Sequence, residues 1–124
     1  MNLIELMRNK RIYPKPTILC LCGSTRFMET FRTENLKATL EYRIVLSVGC
    51  DTKSDTSLAL TETVKKELDI LHLHKIDMAD EVLILNVGGY VGESTKREAA
   101  YAIATGKIVY WLEEGGWRPD FGGV

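Results

Sequence analysis

The sequence predicts an α/β domain built on an open, parallel β-sheet. Short apolar runs alternate with longer stretches whose apolar residues recur at helical spacing, the pattern of strands joined by crossover helices. The strands read as continuous apolar runs, as parallel strands covered on both faces do. One stretch, Glu81 to Trp111, is a complete βαβ unit: an apolar strand, a glycine-rich turn, a helix with a carboxylate near its start, and a second apolar strand.

Residues 2–11 carry Leu3, Ile4, Leu6 and Met7, a spacing for a short helix lying on the body or contacting another subunit. Pro14 and Pro16 end it, because proline disfavours helix in the residue before it. Thr17 to Cys22 is the first buried strand and runs into Gly23-Ser24-Thr25-Arg26. Phe27 to Tyr42 sets Phe27, Phe31, Leu36 and Leu40 at roughly helical spacing, with Thr30, Thr33 and Thr39 lowering propensity. Arg43 to Val48 is the second strand, and Gly49 to Ser57 a polar loop without a clear element. The next helix starts at Leu58 or Thr61 and runs to His74, with Leu60, Val64, Leu68 and Leu71 on one stripe. Asp77-Met78-Ala79-Asp80 leads into the third strand, Glu81 to Val87. Gly88 to Gly92 is the turn, and Ser94 to Gly106 a helix with Ala99, Ala102 and Ile103 on one face. Lys107 to Leu112 is the last strand; Glu113 to Val124 is a tail.

Right-handed crossovers in this order give a sheet with helices on both sides, arranged 2-1-3-4, the truncated form of the flavodoxin-like, Rossmann-like three-layer α/β/α arrangement. The chain then reverses direction between the first and third strands. The loops leaving those strands, Gly23 to Arg26 and Gly88 to Thr95, become neighbours across a crevice at the C-terminal rim, where ligands of such sheets bind.

The 124 residues form one domain, with a core over 17–112 flanked by the N-terminal helix and the C-terminal tail. A formal net charge of −1 with interleaved signs excludes a polynucleotide partner and leaves room for a small anion. Charges break every apolar stretch near the N-terminus, so neither a signal peptide nor a membrane partner is expected and the protein reads as cytoplasmic. Cys20, Cys22 and Cys50 are an odd set; Cys20 and Cys22 point the same way on a strand and read as buried thiols in a reducing compartment. No further ligand stands beside them at metal spacing, and His72 and His74 fall on different helix faces. Metal ligation, a cofactor and thiol catalysis are therefore not expected.

Gly23, Ser24, Thr25 and Arg26 offer amides, two hydroxyls and a guanidinium at a helix start, suited to a phosphate or carboxylate; a Ser24 or Thr25 N-cap with Arg26 in solvent is the plain alternative. Gly88, Gly89, Gly92, Ser94 and Thr95 repeat the pattern at the second loop. Glu98, about one turn into its helix among small residues, either points toward the crevice or closes a Thr95-x-x-Glu98 capping box. Glu93 competes for the same role but also fits a solvated charge on the helix dipole, and Asp80 reads as a turn or cap residue.

Leu21-Cys22-Gly23-Ser24-Thr25-Arg26, Ala79-Asp80-Glu81-Val82, and Gly92-Glu93-Ser94-Thr95-x-x-Glu98-x-x-Tyr101-Ala102-x-x-x-Gly106-Lys107 together resemble the nucleoside 2-deoxyribosyltransferase superfamily, including its 2′-deoxynucleoside 5′-phosphate N-hydrolases. The resemblance spans about residues 17–112. It implies Glu98 as nucleophile, the loop after the first strand as the holder of the 5′ end, a nucleoside or nucleotide ligand, and a homodimer or higher homo-oligomer. It also implies an aspartate at position 72, where this chain has His72; His72 as acid or ligand contact, Asp77 shifted into place, or binding without turnover are the ways to accommodate the difference. Val87 to Thr95 has a weaker likeness to the Pro-Gly-Gly-x-Gly-Thr-x-x-Glu turn of nucleoside monophosphate phosphoribohydrolases, lacking its proline.

Overall fold

Strand β1 (Ile18–Cys22) is the axis of the molecule, and its alternating side chains divide the core in two. Leu19 and Leu21 pack with Phe31, Ala38 and Leu85 on one face, while Cys20 and Cys22 pack with Ile76, Ala99 and Ala102 on the other. The structure, a computed structural model, describes residues 1–48 and 60–119. The expected polar loop from Gly49, with Cys50, the Leu58 helix start and the end of the tail lie outside the described residues.

Around β1 the sheet adds β2 (Ile44–Leu46), β3 (Glu81–Ile84) and β4 (Ile108–Trp111), all parallel, in the order β2-β1-β3-β4. This is the predicted 2-1-3-4 arrangement. The helices are α1 (Leu3–Arg8), α2 (Met28–Leu40), α3 (Glu62–Met78) and α4 (Glu93–Ala104). Helix α2 covers the leucine face of β1, and α3 and α4 lie together on the cysteine face. Among the described residues no helix is long and apolar enough to cross a membrane.

Two helical faces differ from expectation. In α2 the buried side chains are Phe31 and Ala38, whereas Leu36 is 60% and Leu40 78% exposed. At about 100° per residue, Leu36 stands roughly 140° around the helix from Phe31 and cannot share its face. In α3 the inward side chains are His72 and Ile76, while Val64, Leu68 and Leu71 face solvent. Length explains this: 17 residues of helix rise about 25 Å, but the five of β1 extend only about 16 Å. The first two turns of α3, with Val64 and Leu68, overhang the sheet and have no described residue of it beneath them, while Leu71 stands about 100° around the helix from His72 and faces away. The helix also continues past His74, taking Asp77 and Met78 into its last turn.

The N-terminal rim is closed by polar contacts. Asp80 Oδ2 accepts from the Ile18 amide at 2.8 Å, a tie to β1 in place of the turn or cap role expected of it, and Arg43 pairs with Glu81 at 2.5 Å. At the C-terminal rim the tail folds back. Asn86, fully buried, donates to the Glu113 carbonyl and accepts from its amide, both at 2.9 Å, and Glu113 Oε2 accepts from the Gly88 amide at 2.9 Å. Trp117 meets Trp111 edge-on at 6.3 Å.

Candidate functional site

The loops after β1 and β3 meet at the C-terminal rim. The Arg26 guanidinium lies 4.3 Å above the Tyr90 ring, and Phe27 meets that ring edge-on at 6.0 Å. Below them the backbones approach closely: the Leu85 amide donates to the Cys22 carbonyl at 2.7 Å, and a Cβ on Gly23 would stand 3.0 Å from Leu85 Cβ. Gly23 is thus the residue that lets β1 leave the sheet beside the end of β3.

Glu98 sits in the second turn of α4, against the end of β1. The N-cap of α4 is Gly92, which supplies no side chain, and Thr95 lies in the first turn, buried. The Thr95-x-x-Glu98 capping box therefore does not form, since the residue it needs at the cap is three positions upstream. The Glu98 side chain is only 12% exposed, and its Oε2 is buried without a hydrogen-bond partner. Leaving a buried carboxylate oxygen unpaired costs on the order of several kcal/mol.

Facing Glu98 is a cluster that links α3 to β1. His72 Nε2 lies 3.9 Å from Glu98 Oε2, 3.4 Å from Cys22 Sγ and 3.7 Å from Cys20 Sγ. Burial pushes the Glu98 carboxyl up to about 7, opposed by the His72 ring and reinforced by Cys20 and Asp69. Burial alone would lower the His72 imidazole, but Cys20 and Glu98 outweigh it and the ring ends above its ordinary value. Cys20 falls to about 6, chiefly through the neighbouring Cys22 thiol. Cys22, whose proton is held by Cys20, by complete burial and by the Glu98 charge, rises well above the usual thiol range. The cluster can hold a proton at several neighbouring atoms, and it can bind a positive charge.

The other expected site residues are placed as follows. Ser24 caps the 3-10 turn of residues Thr25–Phe27, its Oγ accepting from the Arg26 amide at 3.3 Å, which is the plain alternative for that hydroxyl. Thr25 Oγ1 is buried at the rim with no partner. Gly88 and Gly89 adopt positive φ of 62° and 81°, which favours glycine, and the Gly88 amide is taken by Glu113. Ser94 accepts from Arg97 at 3.3 Å, and exposed Glu93 pairs with Lys96. Asp77 is not brought to the cluster: it lies in the last turn of α3 near the opposite rim, accepting from the Tyr101 hydroxyl at 2.6 Å. His74 faces solvent.

Two relationships were not visible in the sequence. The third donor missing beside Cys20 and Cys22 is supplied from 50 residues away, because His72 turns inward on α3. The expectation of no Cys-His pairing rested on sequence spacing, which does not show that the inward face of α3 lays His72 over β1. Tyr90, which joins the two loops, carried no signal beyond its place in a glycine-rich turn.

The fold and site define a class: an open parallel α/β domain with a buried, unpaired carboxylate at the reversal point of its sheet. No protein-family model matches the sequence, and no curated protein sequence does. Among solved structures the chain is similar to a 2-desoxiribosyltransferase from Leishmania mexicana, with a TM-score of 0.54 and 13% identity over 86% of this chain and 81% of that one. At that identity the likeness is one of fold.

Proposed function

We propose that this protein breaks the N-glycosidic bond of a small nucleoside or nucleoside 5′-monophosphate, by hydrolysis or by deoxyribosyl transfer, with Glu98 as the nucleophile. The observation that carries the reading is the Glu98 carboxylate itself, desolvated beside the end of β1 and engaged by no backbone amide among the described residues. The similar fold of a 2-desoxiribosyltransferase supports nucleosides as the ligand class.

In the first step a Glu98 oxygen bonds to the anomeric carbon as the bond to the base nitrogen breaks, through an oxocarbenium-like transition state. The bonding pair leaves with the base, which takes up a proton. In the second step water or another base attacks the same carbon, and Glu98 departs as a carboxylate. His72 acts through Glu98: its positive ring favours the ionised, nucleophilic form. It is a positioning residue, and Asp77 has no part. Gly23, Thr25 and Arg26 with Gly88, Gly89 and Gly92 form the rim that takes the 5′ end, where the Thr25 hydroxyl is free to donate.

A second reading, nucleotide binding without turnover, is favoured by one observation: an imidazole faces Glu98 where the resembled family has a carboxylate. Incubating the protein with a panel of ribo- and deoxynucleoside monophosphates, following free base by chromatography and thermal shift in parallel, separates the two. Base release supports the enzyme, a shift without release supports binding alone, and neither removes both.

The exposed Val64, Leu68 and Leu71 side chains of α3 support a homodimer. Sedimentation equilibrium reads this directly, and a monomer at micromolar concentration would contradict it.

A further inference from the structure

Cys20, Cys22 and His72 place three soft or borderline donors at one point. Their ligand atoms all lie within 4.8 Å of one another, and all three residues are buried. The arrangement follows from the fold. A Cys-x-Cys pair on a strand sends both sulfurs to the same face, and the inward side of α3 lays an imidazole nitrogen over them. The Glu98 carboxylate lies beside the group, with Oε2 3.9 Å from that nitrogen.

These separations can be compared with what a metal requires. A tetrahedral zinc ion with bonds of about 2.3 Å to sulfur and about 2.0 Å to nitrogen holds those two atoms about 3.5 Å apart, and nitrogen and carboxylate oxygen about 3.4 Å apart. The observed sulfur to nitrogen distances, 3.4 and 3.7 Å, bracket the first figure. The carboxylate, 3.9 Å from that nitrogen and outside the group of mutually close donors, is a neighbour of the three and not a fourth ligand. One divalent cation would engage both sulfurs and the ring nitrogen at once.

We infer that Cys20 Sγ, Cys22 Sγ and His72 Nε2 hold one thiophilic divalent cation of the zinc type, with the Glu98 carboxylate beside it. Sulfur donors disfavour magnesium and calcium, and a set of two thiolates and one imidazole leaves one tetrahedral position open to solvent. The partly exposed edge of the Glu98 side chain gives the ion a way in. On binding, the two thiols give up their protons to solvent and the sulfurs bond the ion as thiolates, with no change of oxidation state.

The site stands independently of the glycosyl-transfer reading, because its three donors do not include the Glu98 oxygens that the reaction needs.

Cobalt(II) is the probe, because thiolate-bound tetrahedral cobalt absorbs strongly where free cobalt does not. The full chain, stripped with chelator and kept reduced with a phosphine, is titrated with cobalt and followed by absorbance, then challenged with zinc. The inference expects one cobalt per chain, a thiolate-to-cobalt charge-transfer band with intense visible bands, and loss of both on adding zinc. Glu98→Gln should keep the charge-transfer band and one cobalt per chain, whereas His72→Leu should weaken binding roughly tenfold or more. A wild-type titration without the charge-transfer band overturns the inference, whatever the variants do. So does a band that survives in a folded Cys20→Ser, Cys22→Ser double variant. Absorbance reads the metal and free base reads the chemistry, so failure of one is distinguishable from failure of the other.

Discussion

His72 Nε2 lies 3.9 Å from Glu98 Oε2, closer to the two β1 thiols than to the carboxylate it faces. The imidazole thus adjusts the charge on Glu98 from outside hydrogen-bonding distance, and it does so alongside Cys20 and Cys22 of β1 and Asp69 of α3.

The first consequence is a pH profile. On the proposed mechanism the nucleophile is the ionised Glu98 carboxylate, and burial holds its pKa at about 7, so base release by chelator-treated protein should rise with pH up to about 7 and level off above it. His72 lowers the Glu98 value, so His72→Leu should move this limb to higher pH by about one unit. A profile flat from pH 5 to 8, or a limb that moves down in the variant, contradicts the assignment.

Stability should carry the same signature with a definite sign. A carboxyl raised from 4.5 to about 7 contributes stability that is fully present below pH 4.5 and is lost as pH rises through 7. Glu98→Gln cannot ionise, so it should gain on the wild type across that window, by about 3 kcal/mol at most. His72, whose ring is raised above its ordinary value partly by the Glu98 charge, adds its own loss as pH rises beyond 6.5 in the wild type and a smaller one in the variant. Urea midpoints of the two proteins at pH 5 and pH 8 give the comparison, and equal differences at both would refute it.

Arg26 separates phosphate recognition from the chemistry. Its guanidinium is held over Tyr90 at the rim, where a charge-assisted bond to a 5′-phosphate is worth about 1.5–3 kcal/mol. Arg26→Ala should raise KM for monophosphates about tenfold or more. It should leave kcat, and KM for unphosphorylated nucleosides, nearly unchanged. Equal losses for both ligand classes would assign Arg26 to loop packing alone.

The tail contact is tested at Gly116. A Cβ there would stand 2.8 Å from the Gly89 carbonyl oxygen at a φ of 76°, whereas Gly106 has a similar φ of 80° and open space. Gly106→Ala should cost about 1 kcal/mol from backbone strain. Gly116→Ala should cost more, about 2–3 kcal/mol, because the glycine turn after β3 must also move. Similar thermal midpoints for the two variants would mean that the tail does not hold that turn.

Much of the fold was legible because parallel strands leave a plain mark. Four apolar runs, three crossovers and two glycine-rich loops lead to the β2-β1-β3-β4 order, and that order alone brings residues 23–26 beside 88–92. The helical faces were less legible. The stripe of Val64, Leu68 and Leu71 is the more apolar side of α3, yet the sheet lies under the side bearing His72 and Ile76. Which side wins depends on where the helix overhangs the strands, a length relationship that periodicity does not carry. For the same reason the meeting of His72 with Cys20 and Cys22, and the failure of Thr95 to cap α4, could be read only from coordinates.

The account rests on Glu98 as the group that attacks the sugar. Its most direct test compares free-base release from the panel nucleotides by wild-type protein and by Glu98→Gln, both stripped of metal and confirmed folded. The account predicts release by the wild type and a loss of at least about a thousandfold in the variant with ligand binding retained. Release at comparable rates by both proteins would contradict it.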